Sequence, residues 1–217
     1  GVLIVELVRG RTTDVYGPLA VANEESDHHD LPGKLPSIYW WSWLAVVFTA
    51  SVEFSMLLWT PEVLTTQGGL TKGAGAAALA TIVGGMSIGR VIGARLTSRF
   101  DSEFLYRSTL VISLIGFMGF WLSSSAPIML ASLTVTGLGM SLHFPFGFER
   151  SLRASAGRPD KGGGRLSIGS GLASGLAPFA LGAMADRIGI HNAYAIVPIS
   201  LAFAIAIAAM RPVKLPH

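Results

Sequence analysis

Residues 85–95 read GMSIGRVIGAR, and a further arginine follows at Arg99. Three glycines in this stretch stand four residues apart, namely Gly85, Gly89 and Gly93. Glycines at this spacing share one face of a helix, where a neighbouring backbone can approach closely. Arg90 and Arg95 lie in the same stretch, and arginines that end an apolar segment are typical of the boundary between membrane and water. The stretch indicates a tightly packed membrane helix that ends at a surface, although anchoring by positive charge alone also explains the arginines.

The rest of the chain also has the composition of a membrane protein. Of its 217 residues 51% are hydrophobic and 13% are charged, whereas ordinary soluble proteins have about 25% charged residues. Six apolar blocks each approach the roughly 20 residues that span a bilayer, at 39–60, 73–93, 105–122, 127–148, 166–185 and 193–210. Because the blocks are long and do not alternate polar with apolar residues, they predict helices rather than barrel strands. We therefore predict an all-α integral membrane protein.

The distribution of basic residues predicts the orientation. If all six blocks cross the membrane, fourteen of the sixteen Lys and Arg residues fall on one side, and only Lys72 and Arg187 fall on the other. Since basic residues accumulate in cytoplasmic loops, both ends of the six-helix unit are predicted to be cytoplasmic, in the plasma membrane. The net charge of +3 is then explained by topology, and we expect no nucleic-acid partner.

The chain divides into four predicted parts. They are the tail of a preceding transmembrane helix at 1–8, a cytoplasmic linker at 9–38, the six-helix domain at 39–210 and a cytoplasmic tail at 211–217. In the linker, His28 and His29 adjoin carboxylates and could bind a metal ion, but no second ligand pair stands at a suitable spacing. A solvated loop is the preferred interpretation, and we expect neither a metal site nor a cofactor.

A polar stripe on the first helix is the best indication of a transport pathway. Glu53 lies inside the block, and at 100° per residue it shares one side of the helix with Ser42, Thr49 and Thr60. A carboxylate that faced lipid would be costly, so the stripe should face the bundle or a cavity. It predicts a solute contact or a proton site, and the alternative is an interhelical hydrogen bond that only holds the structure.

The fourth block carries a second polar stripe. His143 and Thr136 belong to it, and histidine changes charge near neutral pH, so both are candidates for the pathway. The alternative is a buried histidine close to Pro145, which is expected to kink the helix.

The fifth block and the residues before it are rich in glycine. Gly171 and Gly175 form a further pair four residues apart, which predicts another close helix contact. Residues 162–165 read GGGR but lack the Lys-Ser/Thr of a phosphate-binding loop, and no strand precedes them. We predict a flexible cytoplasmic loop there, which enters a glycine-rich helix.

Residues 85–95 resemble the cytoplasmic signature loop of the major facilitator superfamily, roughly G-x-x-x-(D/G)-R-x-(x)-G-x-R, which lies between the second and third helices of each six-helix half. Gly89 stands where many members have Asp, and two residues rather than one separate Arg90 from Gly93. Residues 182–189 resemble the related pattern G-x-x-x-D-R-x-G, carried here by Gly182, Asp186, Arg187 and Gly189. A polar turn is the alternative interpretation of this second segment.

The resemblance implies the C-terminal half of a twelve-helix secondary transporter, built as two inverted three-helix repeats. Its partners would be the lipid bilayer, the N-terminal six-helix half and a small solute, moved by alternating access and coupled to protons. A membrane-embedded enzyme would need catalytic groups clustered at one depth, but the sequence has no H-E-x-x-H, no paired intramembrane Asp and no Cys. We therefore expect no enzymatic activity, and a non-transporting membrane subunit or receptor is the other alternative.

Overall fold

A computed structural model of the chain describes residues 30–210 and Val213, all of it helical or irregular without a strand. Within these residues six helices are long and apolar enough to cross a membrane. They are α1 (Ser37–Thr66), α2 (Lys72–Leu96), α3 (Ser102–Leu122), α4 (Ala126–Arg153), α5 (Pro159–Ile188) and α6 (Ile190–Met210). The prediction of an all-α membrane protein with six spans is confirmed.

The helix contacts repeat after three helices. In the first repeat α2 and α3 pack against α4. In the second repeat the equivalent helices, α5 and α6, pack against α1. Helices α1 and α4 meet, and so do α3 and α6. Because three spans separate the equivalent helices, the second repeat crosses the membrane in the opposite direction to the first, as in inverted repeats. Helices α1 and α4 are therefore central, whereas α2 and α5 each have one main neighbour.

Prolines mark two of the three interruptions in the helices. Helix α4 consists of Ala126–Met140 and His143–Arg153, so it breaks four residues before Pro145. Helix α6 consists of Ile190–Ala193 and Ile196–Met210, and its break likewise begins four residues before Pro198. A proline lacks the N–H that would bond the carbonyl four residues earlier, which accounts for both positions. The kink predicted from Pro145 is present, and α2 is also interrupted, at Ala78.

Two predicted boundaries are wrong. We predicted that the first helix ends at Pro61, but α1 continues through it to Thr66. A proline is tolerated inside a membrane helix when neighbouring groups compensate for the lost bond. We also predicted a loop at 162–165, but these residues lie in α5, which begins with Pro159 in its first turn. Proline is favoured at that position because its missing N–H would have no helical partner anyway.

Glycines bring α2 and α4 into backbone contact. A methyl group on Gly85 would overlap the carbonyl oxygen of Thr134, and one on Gly137 would overlap the carbonyl oxygen of Ile82. A methyl group on Gly89 would stand 2.5 Å from the Leu138 carbonyl oxygen. The contact predicted for the signature glycines is therefore present, and it is made by glycines from both helices.

Aromatic donors join α1 to α5. The Trp43 indole N–H donates to the Arg165 carbonyl at 3.0 Å, and the ring occupies the space beside Gly169, four residues later. Trp59 repeats this arrangement, because its indole donates to the Pro178 carbonyl at 2.8 Å and its ring lies 2.6 Å from where a Cβ of Gly182 would stand. In each case the glycine leaves room for the indole to reach a helix carbonyl.

The pair predicted at Gly171 and Gly175 makes no such contact. A methyl group at either position would have no described atom within 4 Å, so the prediction of close packing there is wrong. The glycines that pack on α1 are instead Gly169 and Gly182, together with Gly162, whose carbonyl accepts a hydrogen bond from Tyr39 Oη at 2.6 Å. The spacing of four residues alone does not identify the contact face.

Only the end of the predicted linker falls within the described residues. There, the Leu31 N–H donates to the Gly157 carbonyl at 3.1 Å, and Arg158 donates to the Pro32 carbonyl at 3.1 Å. Residues 31–36 therefore pack on the connection between α4 and α5. The predicted segments 1–8 and 9–29, and 211–217 except Val213, lie outside the described residues, as do His28 and His29.

We expect Gly85→Ala to lower the melting temperature of the detergent-solubilised protein, because the methyl group forces α2 away from the Thr134 carbonyl. Overpacking of this kind costs about 1–3 kcal/mol. Gly84→Ala is the matched control, since no described atom lies within 4 Å of that position. Equal melting temperatures for the two variants would contradict the backbone contact.

Candidate functional site

The hydroxyls of the predicted α1 stripe lie inside the bundle. Ser42, Thr49 and Thr60 are 1%, 2% and 0% exposed. Ser42 donates to the Ile38 carbonyl at 3.0 Å, and Thr49 donates to the Val46 carbonyl at 3.1 Å. The stripe therefore faces the neighbouring helices of the same six-helix unit, and its role in a solute pathway stays a prediction.

Ser42 belongs to a charged cluster that joins three helices. Arg150 of α4 is 3% exposed, and its Nε lies 3.1 Å from Glu103 Oε2 of α3. Its Nη1 donates to Ser42 Oγ of α1 at 3.1 Å, and the guanidinium carbon lies 6.0 Å from the centre of the Tyr106 ring. Arg107 also binds Glu103, at 3.2 Å. The cluster ties together the ends of α1, α3 and α4 that carry the predicted cytoplasmic loops.

Sequence reasoning missed this cluster. It counted Arg150 only as one of the basic residues at a membrane boundary, and it did not consider Glu103. The available signal was a carboxylate one helical turn before Arg107, at the start of a span that contains no other acidic residue. A pairing between residues 47 positions apart gives no local pattern.

His143 and Thr136 come together in a second buried group. His143 Nε2 lies 3.1 Å from Ser113 Oγ of α3, which donates to the Thr136 carbonyl of α4 at 3.4 Å. His143 is 1% exposed, and Thr136 and Ser113 are 0% exposed. The group links α3 to α4 and does not reach the surface of the six-helix unit. This placement agrees with the structural alternative, and a role in transport stays a prediction.

Glu53 has different surroundings. It is half-buried on α1, although it shares one side of the helix with the buried Ser42, Thr49 and Thr60. Within the described part of the chain the Glu53 carboxylate makes no hydrogen bond or ion pair. The exposed Arg90 of α2 attracts this carboxylate electrostatically without forming an ion pair with it. An ionisable group within a membrane span rarely faces lipid. The role of Glu53 as a solute contact or a proton site stays a prediction.

An open groove adjoins this part of α1. Helices α1 and α5 line it, with a volume of about 310 Å³. Phe54, Leu58 and Phe179 are among its apolar lining residues, and Gly175 also lines it. The groove can accommodate an apolar group beside Glu53, or a helix of a covering domain.

The residues of the signature segment separate into two sets. Gly85, Gly89 and Gly93 are buried against α4, whereas the arginines Arg90, Arg95 and Arg99 are exposed. Residues 85–96 are helical, so the segment forms the end of α2 rather than a loop. Among the described residues none forms an ion pair with these arginines, and their role in contacting a partner stays a prediction.

The second signature-like segment forms the end of α5. Gly182 packs against Trp59, and Gly189 ends the helix with a positive φ of 82°, its N–H bonded to the Ala185 carbonyl at 2.8 Å. Glycine is favoured at such a helix end because a side chain would strain this conformation. Asp186 and Arg187 are exposed in the last turn, as expected for a polar helix end.

We expect Glu103→Gln to destabilise the protein by about 3 kcal/mol, because it removes the carboxylate that pairs with the buried Arg150. Glu149→Gln is the control, since Glu149 pairs with Arg153 at a side chain that is 39% exposed, and such pairs contribute about 0–1 kcal/mol. Thermal unfolding in detergent measures both. A Glu103→Gln variant as stable as Glu149→Gln would show that the cluster does not hold the helices.

Comparison with solved structures identifies the fold. The chain is similar to a Major Facilitator Superfamily transporter, FucP, in the outward conformation, with a TM-score of 0.71 and 21% identity over 82% of this chain and 43% of that one. It is similar also to an asparagine-to-alanine variant of the Escherichia coli fucose:proton symporter FucP, with a TM-score of 0.72 and 21% identity over 82% of this chain and 44% of that one. No protein-family model and no curated protein matches the sequence.

The chain thus spans less than half the length of the solved chains that it matches. Its six helices, their pairwise contacts and the inverted repeats agree with this likeness. The chain therefore has the fold of one six-helix half of a major facilitator superfamily transporter.

Proposed function

We propose that the chain is the C-terminal half of a proton-coupled carrier of a small solute, which works by alternating access. The observation that carries the proposal is Glu53, a carboxylate without a hydrogen-bond partner among the described residues, on a side of α1 that the other five helices leave partly open. The neighbour described as a fucose:proton symporter supports protons as the coupling ion. Such a carrier changes no covalent bond, so the proposal assigns no enzymatic activity.

In this proposal an N-terminal six-helix half packs on the exposed sides of α1, α2 and α5. Helices α2 and α5 each have one main neighbour, and they expose large apolar side chains such as Ile88 and Leu172. Lipid could cover these side chains, but contact with lipid would be costly for the charged groups of Glu53 and Arg90. A second six-helix half would enclose both charged groups in a cavity between the halves, near the middle of the membrane.

In this proposal Glu53 changes charge as the carrier changes conformation. A proton from water binds a carboxylate oxygen of Glu53 while the cavity opens to one side. The neutral acid is cheaper to enclose than the ion, so protonation favours the closed intermediate. Opening to the other side hydrates the group and releases the proton, after which Arg90 can pair with the carboxylate. The charge of Glu53 is thereby linked to the side of the membrane to which the cavity opens.

The other residues predicted for the pathway and for the signature segment have structural roles in this proposal. Ser42, His143 and the Thr136 carbonyl make hydrogen bonds that join helices of the half. Thr49 bonds only within α1, and Thr60 is buried on the same helix. Arg95 and Arg99, which are exposed at the end of α2 and just beyond it, contact the other half on the cytoplasmic side. The distribution of basic residues supports a plasma-membrane protein with both ends of the half cytoplasmic.

We expect Glu53→Gln in the full-length carrier to abolish solute accumulation driven by a pH gradient. The amide cannot exchange a proton, so accumulation in proteoliposomes should fall to the level seen without a gradient. Equilibrium exchange of labelled solute should persist. Radiolabelled L-fucose is the first solute to use, followed by other small sugars and organic acids.

Glu62→Gln is the matched control, because Glu62 lies on the same helix and is exposed. It should leave gradient-driven accumulation intact. A Glu53→Gln carrier with an unchanged rate and pH profile would exclude Glu53 as the proton site. A full-length protein that moves none of these solutes would favour a non-transporting membrane subunit.

A further inference from the structure

Arg165 lies against the Trp40 ring where α1 and α5 begin, and Trp41 is the next residue of α1. Trp40 and Trp41 are 41% and 42% exposed, and the Arg165 guanidinium lies 5.3 Å from the centre of the Trp40 ring. The position of Arg165 is fixed, because its carbonyl accepts the Trp43 indole N–H. Tryptophans of this kind lie at the level of the lipid headgroups.

The charge of Arg165 is available to a ligand. Its side chain is exposed, and its guanidinium makes no hydrogen bond or ion pair to another described residue. Lys161 stands one turn earlier on the same side of α5, with Nζ 2.9 Å from the Gly33 carbonyl. Asp160 lies about 140° around the helix from Arg165, at 100° per residue. Arg165 therefore supplies an exposed positive charge beside the Trp40 ring.

A cavity lies deeper in the membrane on the same helices. It has a volume of about 150 Å³ between α1, α5 and α6. Its walls are mainly apolar, with Phe48, Val52, Leu181 and Val197 among them, and serine hydroxyls complete the lining. These faces of α1 and α5 differ from those that line the groove beside Glu53.

One face of α1 connects the tryptophan to the cavity. This face carries residues spaced by three or four positions, which is the spacing of one side of a helix. They are Trp40, Leu44, Phe48, Ser51 and Ser55. From Trp40 to Ser51 the helix rises about 16 Å at 1.5 Å per residue. One leaflet of the hydrocarbon core is about 15 Å thick, half of the whole core. The path thus runs from the headgroup level to the middle of the bilayer.

We propose that this path is a binding site for one anionic phospholipid. Its phosphate binds the Arg165 guanidinium, which suits phosphate oxygens through paired N–H donors. Trp40 and Trp41 pack against the glycerol region, and one acyl chain follows the α1 face and ends in the cavity between α1, α5 and α6. The acyl chain of the lipid provides the dispersion contacts that the side chains around an empty apolar cavity would lack. The site does not depend on the proposed transport function.

The test uses the full-length carrier, purified in detergent and titrated with phosphatidylglycerol or phosphatidylcholine under native mass spectrometry. We expect one phosphatidylglycerol to bind more tightly than phosphatidylcholine. Arg165→Gln should weaken phosphatidylglycerol binding about fivefold, the contribution of one basic residue near a membrane surface, and leave phosphatidylcholine unchanged. Lys72→Gln removes an equal charge from the exposed start of α2 and should change neither affinity.

A second variant tests the acyl-chain part of the site. Ala180→Phe fills the cavity and should weaken both lipids while keeping the preference for phosphatidylglycerol. Equal binding of the two lipids to the unaltered protein, or unchanged phosphatidylglycerol binding in Arg165→Gln, would overturn the proposal. Displacement of the lipid by inorganic phosphate at equal concentration would also overturn it, because the site would then recognise a free anion.

Discussion

Close approach of helix backbones is the constraint on which this bundle depends. In a bilayer the hydrophobic effect does not drive helices together, because lipid tails are as apolar as leucine side chains. Helices α2 and α4 compensate with glycines on both sides of their contact, Gly85 and Gly137. Helices α1 and α5 use another solution, in which Trp43 and Trp59 donate to helix carbonyls beside a glycine. Two equivalent contacts of the inverted repeats are thus made by different chemistry.

These contacts explain which surface remains open. Each of α2 and α5 is bound along one side, so their other sides, with the adjoining face of α1, are left for lipid or for another domain. Glu53 is half-buried, whereas Ser42 and His143 lie in the interior of the six-helix unit. The bonds of Ser42 to Arg150 and of His143 to Ser113 cross between helices. These interior bonds therefore link helices of the six-helix unit to one another, whereas under the proposed function Glu53 is the group whose surroundings change.

Much of the fold could be predicted from the sequence, because span length and charge asymmetry act over whole segments. The six spans were found this way, although α1 continues past Pro61 and α5 begins before the glycines at 162–164. Helix contacts were harder to predict, since spacing identifies a face but not its neighbour. The pair Gly89 and Gly93 packs against α4, while the equally spaced Gly171 and Gly175 face open space. The partners of Arg150 and Trp59 lie far away in sequence, and only the tertiary structure brings them together.

The proposed function requires Glu53 to lie in a water-filled cavity between two halves rather than against lipid. The chain contains no cysteine, so Glu53→Cys can be made in a full-length carrier whose other half is also free of cysteine. Labelling with a charged, membrane-impermeant maleimide then reports access from water. We expect Glu53→Cys to react and to be protected by transported solute, while Phe203→Cys, 56% exposed on α6 at native Phe203, does not react. Failure of Glu53→Cys to react from either side of the membrane would contradict the account.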